Sequence, residues 1–309
     1  MKKRLKRPRL VRIADALLPL SLLIASVRGH ALDCFYLTLC ALGTRLLALS
    51  TAGSVRAAFA EQPSMRDVRG SVKCALLLQP LGSAILAGIL FAVRREWFTS
   101  QGFPWILAGL ALNLEQVFYE YLYSAGDGRS AFLSRLITAV LCGAGILLSG
   151  TRAWSVSVTC GLAVLASCAV SLTAGGGLKG RINAGPVRCA PRFLLQDILY
   201  PAAFAGLALW NPGNILFSKN VVCAAFFAGL TLYNLCRTAF RRSHLEARPM
   251  NVALLIAAIL SILAGCAALF LTLPSGCPSI FLSAWRAVPA AFAALLTAGI
   301  CGFVMFGNA

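Results

Sequence analysis

The sequence predicts an all-α polytopic membrane protein, with about ten transmembrane helices in a six-plus-four parallel pseudo-repeat. Three observations predict it. Of 309 residues, 59% are hydrophobic and only 12% charged, against about 25% charged in soluble domains. A soluble fold of this size has too little interior to hide that much apolar surface. Apolar runs long enough to cross a bilayer recur along the chain, and lipid offers the backbone no outside hydrogen-bond partner, so such runs are helices. Lysine and arginine fall in alternate loops, as they do around spanning helices.

Taken in order, the spans run about 13–28, 31–54, 71–93, 104–124, 130–149, 153–174, 193–210, 214–236, 251–273 and 279–306. The first is a short apolar core behind the basic segment 1–12, and it also resembles a cleavable signal peptide. The second carries one deep cation, Arg45. The third is uncharged from residue 74 to 93. The fourth is the most polar, and it ends on a Gly-Asp-Gly-Arg turn that leads at once into the fifth. The fifth and sixth are almost free of charge, and together the six form a first bundle, 13–174. A linker at 175–192 opens on three glycines and carries Lys179, Arg181, Arg188 and Arg192, which reads as a flexible segment facing lipid headgroups. Spans seven to ten form the second unit, 193–309.

Net charge is +18. In a soluble chain this would suggest nucleic acid, but here it reads as the cytoplasmic bias of a membrane protein, with no nucleic-acid partner. With the N-terminus inside, inner segments hold 21 Lys and Arg, outer loops 4, and spans 3. Both termini are then cytoplasmic, and reporter fusions at residues 100, 185 and 277 are expected to read out, in and out. A cytoplasmic signal at 100 would overturn this orientation. Twelve cysteines show no C-x-x-C spacing and only two histidines exist, so cysteine reads as apolar filler, and no metal or other cofactor is expected. Nucleotide-binding, metalloprotease and serine-hydrolase signatures are absent, which points away from an enzyme.

Asp15-Ala16-Leu17-Leu18-Pro19 in span one recurs as Asp197-Ile198-Leu199-Tyr200-Pro201 in span seven. Arg56-Ala57-Ala58-Phe59 recurs as Arg237-Thr238-Ala239-Phe240, and Ile85-Leu86-Ala87-Gly88 as Ile262-Leu263-Ala264-Gly265. Six spans separate each pair, so the copies run parallel, about an axis along the membrane normal, as transporter halves do.

The turn after span four, with Gly126, Asp127 and Arg129, resembles the turn joining the fourth and fifth helices of each six-helix half in the multidrug/oligosaccharidyl-lipid/polysaccharide exporter superfamily. The long second span running into R-x-A-F and the basic inter-half linker are similar too. The resemblance covers about residues 13–200, and two of the family's usual twelve helices are missing. It implies a V-shaped pair of bundles around a central cavity and a lipid-linked or amphiphilic substrate. Proton or Na+ coupling is also implied.

Charges inside spans are the remaining clue, because burial in lipid is costly without a partner or a task. Lys73, Arg135, Lys219, Asp15 and Asp197 lie within a turn or two of an interface and read as anchors or caps. Arg45, Glu115 and Glu120 lie deeper, at matching depths, so Arg45 is expected to pair with one of the glutamates. That pair is either a structural bridge or part of a substrate or proton path. Asn113, Gln116, Glu120 and Tyr123 share one helical face, with Glu115 and Tyr119 beside it. Arg286, in span ten, either faces the same cavity or snorkels outward. The expected function is movement of an amphiphilic, anionic or lipid-linked substrate across a bacterial inner membrane. The alternative is a degenerate relative acting as a membrane scaffold.

Overall fold

The computed structural model describes residues 8–175 except 53, 56–64, 126 and 150–152, together with 181–189, 223–224 and 226–231. Over the described part of 8–175 it is almost entirely helical: α1 (Pro8–Ala25), α2 (Ala31–Leu47), α3 (Met65–Val93), α4 (Phe103–Ser124), α5 (Gly128–Ser149) and α6 (Ala153–Gly175). Among the described residues, four stretches are long and apolar enough to cross a membrane: Ile13–Leu47, Arg69–Val93, Gly128–Leu148 and Ala153–Thr173. Spans seven, nine and ten, most of span eight, and the internal repeat fall outside the described residues.

The first of those stretches is two helices. Gly29 takes φ +100°, a conformation that only glycine adopts cheaply. The Cys34 thiol donates to the Leu22 carbonyl at 3.6 Å. In one straight helix these residues would stand about 18 Å apart, so the chain reverses at Gly29. After the reversal α1 packs mainly along α5 and barely touches α2.

α4 is the centre. It packs against α2, α3, α5 and α6, and Trp105, Tyr119, Tyr121 and Leu122 on it are buried. A helix enclosed by other helices need not present a lipid face, which is why the most polar of these helices, absent from those four stretches, occupies this position. α3 does the opposite: Leu77, Leu81, Ile85 and Ile89, four residues apart, form an exposed apolar stripe, as a lipid-facing helix requires. Two glycines bring backbones together around α2. A Cβ on Gly82 of α3 would stand 2.6 Å from the Ala48 nitrogen, and one on Gly109 of α4 would stand 2.7 Å from that of Ala41. Small residues permit such close approach in membranes.

One end of the bundle carries an aromatic belt. Tyr36 at the start of α2 lies 5.5 Å from Trp97 and 6.1 Å from Trp105, ring centre to ring centre. Phe103 at the start of α4 lies 6.1 Å from Trp154 at the start of α6. Such rings gather where the bilayer meets water.

Span two was expected to run to residue 54, but α2 stops at Leu47. The Ser50 amide donates to the Arg45 carbonyl at 2.9 Å, and that of Leu49 to the Leu46 carbonyl at 3.0 Å. This is a Schellman stop built without glycine, with Leu49 and Ser50 at φ 55° and 52°. Each residue held there costs about 1–2 kcal/mol. Pro19 lies inside α1.

The linker also departs from expectation over residues 181–189. The Asn183 amide donates to the Gly70 carbonyl at 3.1 Å, and the Ser54 hydroxyl to that of Pro186 at 2.8 Å. This segment, ending in α7 (Gly185–Cys189), is docked on α3 and the continuation of α2 because Gly70 leaves room for Asn183. Cys223 joins the main core: its thiol donates to the Ala31 carbonyl at 3.4 Å.

Candidate functional site

The polar groups of α4 divide between two sides. Asn113 faces α2, donating to the Ala41 carbonyl at 2.8 Å and accepting from Arg45 Nε at 3.3 Å. Glu115 and Gln116 face α5. There the Arg135 guanidinium forks, giving Nη1 to Glu115 Oε2 and Nη2 to Gln116 Oε1. Its carbon lies 4.3 Å from the centre of the Tyr119 ring, a cation–π contact on the open face of the fork. Arg135 had read as an interfacial anchor. It is in fact 6% exposed and bound to a Glu115 that is 0% exposed. Moving it from the inner loops leaves the basic bias at 20 to 4.

Around that fork the network extends through four helices. Gln116 Nε2 donates to Glu120 Oε1 at 2.8 Å, an i,i+4 contact on α4. The Tyr119 hydroxyl donates to Asp15 Oδ1 of α1 at 2.7 Å, which ties the half-buried Asp15 to α4. The Ser134 hydroxyl lies 3.3 Å from Glu115 Oε1 and 2.8 Å from the Ser167 hydroxyl of α6. One guanidinium thus meets three acids, Asp15, Glu115 and Glu120, directly or through a tyrosine and a glutamine. Arrangements of this kind can hold a charged helix contact together, or can move a proton between carboxylates.

Of the sequence-predicted residues, Glu115, Gln116 and Glu120 are brought together. Arg45 and Asn113 form a separate contact toward α2. Arg286 and Gly126 lie outside the described residues. The residue that sequence reasoning misplaced is Arg135. Its helical spacing from Ser134, Thr138 and Cys142 was a usable signal, since these continue along one buried face.

Asp127 has a local role. Its Oδ1 accepts from the Ser130 amide at 3.1 Å and its Oδ2 from the Ser130 hydroxyl at 2.7 Å, which caps the first turn of α5. Partial burial alone would raise the Asp127 carboxyl, but the Ser130 hydrogen bonds outweigh it, with help from the Arg129 amide and charge, and hold it below the usual carboxylate range. A depressed folded pKa means the cap contributes in full above the ordinary aspartate range and fades as pH falls through the folded value. Asp127→Ala is expected to cost about 1 kcal/mol at neutral pH. In thermal melts of detergent-solubilised protein, the gap from wild type should narrow below about pH 4. A gap that is constant with pH would remove the capping role.

The chain matches no protein family, no curated protein and no solved structure.

Proposed function

We propose that this chain is a flippase-like membrane transporter that moves an amphiphilic substrate, anionic or lipid-linked, across a bacterial inner membrane, with both termini cytoplasmic. The observation that carries this reading is the ionisable network of Asp15, Glu115, Glu120 and Arg135, built into the centre of a helix bundle. Intramembrane charges are retained at a cost, and substrate and proton paths are their common use. The described network is rich in acids, which suits proton coupling. The anionic preference of the substrate rests on Arg45 and Arg286, since a guanidinium can grip a phosphate bidentately.

Proteoliposomes carrying a fluorescent anionic phospholipid in both leaflets test this reading. The protein is expected to expose inner-leaflet lipid to an external quencher faster than protein-free vesicles do. Glu120→Gln should slow the process without loss of folded protein. Movement no faster than in empty vesicles would overturn the reading. Arg286→Ala and Arg286→Lys then separate a ligand from a snorkelling residue: a bidentate ligand tolerates neither, and wild-type rates in Arg286→Ala would end the anion site.

A second reading, a non-transporting scaffold, draws on one observation: the fork of Arg135 is fully occupied by Glu115, Gln116 and Tyr119. On that reading, Glu120→Gln alters melting and leaves lipid movement at the empty-vesicle rate in both proteins.

A further inference from the structure

The seam between α2 and α3 is polar where its neighbours are apolar. Thr44, Ser50, Thr51 and Ser54 on the α2 side, and Gln79 and Ser83 on the α3 side, are each 6% exposed or less. Thr51 donates to the Ala48 carbonyl at 2.8 Å and accepts from Gln79 Nε2 at 3.1 Å. That contact fixes the Gln79 amide and leaves its oxygen, Oε1, buried with no hydrogen-bond partner. Thr44 Oγ1 and Ser50 Oγ are buried without partners as well. Unmet polar atoms in an interior are few and costly, and three on one seam need a common cause.

The backbone is interrupted in both helices near this level, with Pro80 itself on the exposed side of α3. α2 ends at Leu47, and its C-terminus presents the negative end of the helix dipole. Pro80 has no N–H, so the Leu76 carbonyl has no i+4 donor in α3. The Leu76 side chain packs against the Ala52–Val55 cluster, which places this turn of α3 on the α2 face. Gln79 lies ten residues into the apolar stretch Arg69–Val93, roughly 15 Å from its start. Interrupted backbone at such depth is tolerated where it is buried in protein or lines a polar site.

We propose that the interrupted end of α2, opposite Gln79, binds a monovalent cation of sodium's size through Thr44 Oγ1, Ser50 Oγ, Gln79 Oε1 and main-chain carbonyls. All these donors are neutral oxygens, whereas divalent ions favour carboxylates. Unwound carbonyls and helix C-terminal ends hold Na+ in broken-helix transporters. Arg45 gives its Nε to Asn113 on α4, while Thr44 and Ala48 face Gly82 of α3. Lys73 is six residues back along α3, about 9 Å. The site stands independently of the transport reading.

Purified full-length protein in detergent, melted in NaCl or choline chloride at constant ionic strength, tests the site. Sodium is expected to raise Tm by about 5 °C between about 1 and 100 mM, with saturation, and choline to leave it unchanged. Thr44→Val and Ser50→Ala should keep the choline Tm and lose the sodium shift. Radioactive 22Na+ should bind the wild-type protein saturably, which keeps the test free of any variant's folding. Equal responses to sodium and choline, sodium shifts retained in both variants, or no saturable 22Na+ binding would overturn the site and leave a buried water in its place.

Discussion

Arg135→Leu is expected to cost this bundle about 3–5 kcal/mol, because it strands the Glu115 carboxylate in a low-dielectric interior. Glu115→Leu should cost a similar amount by stranding the guanidinium. The double variant Glu115→Leu/Arg135→Leu should recover much of the loss, since apolar pairs of similar volume often replace buried ion pairs without penalty. Gln116 and Tyr119 lose a partner in the double variant, so recovery should stop short of wild type. Yield of monodisperse protein and Tm in detergent, arranged as a double-mutant cycle, measure the coupling. If the two single losses simply add, the pair contributes nothing as a pair.

Gly109→Val should be the most damaging single substitution on the α2–α4 interface. The first added carbon would stand 2.7 Å from the Ala41 nitrogen and 2.8 Å from the Cys40 carbonyl carbon. Both are main-chain atoms of α2, so no side chain can rotate away and the helices must separate. Gly109→Ala is expected to cost about 2–3 kcal/mol, and Val to abolish recovery of folded protein. Gly88 and Gly161 provide the contrast, since nothing lies within 4 Å of a Cβ added at either. Gly88→Ala and Gly161→Ala should stabilise by about 0.5–1 kcal/mol through helix propensity alone. Equal Tm changes at Gly109 and Gly88 would mean that α2 and α4 are not in backbone contact.

Much of the first unit was legible in the sequence. Its predicted spans at 71–93, 104–124, 130–149 and 153–174 each fall on a described helix with ends within a few residues, except that α3 begins earlier, at Met65. Apolar run length sets these helices, and run length is a local property. The end of α2 was not legible, since Leu49 and Ser50 are neither glycine nor asparagine, yet both take positive φ. In the site, the two glutamates that depth counting singled out, Glu115 and Glu120, are both buried among the helices. It read Arg135, near a span end, as an anchor or cap because it measures distance along one helix and ignores which neighbours enclose it. The polar stripe of α4 was read as one face, yet Asn113 and Gln116 serve different neighbours. A helix surrounded on all sides has several inward faces, and periodicity alone does not distinguish them.

The reversal at Gly29 leaves α1 beside α5 rather than beside its immediate successor, and this has a consequence for biosynthesis. Asp15 meets Tyr119, and the Tyr119 ring meets Arg135, 120 residues further along the chain. At about 5–20 residues per second, α1 therefore waits roughly 6–24 s after its own synthesis before the fork that surrounds its acid is complete. Through that interval an aspartate-bearing helix must stay near water or in the keeping of the insertion machinery. α1 is thus seated only after α4 and α5 have been made, and a ribosome pausing between residues 30 and 135 would prolong its exposure rather than help it fold.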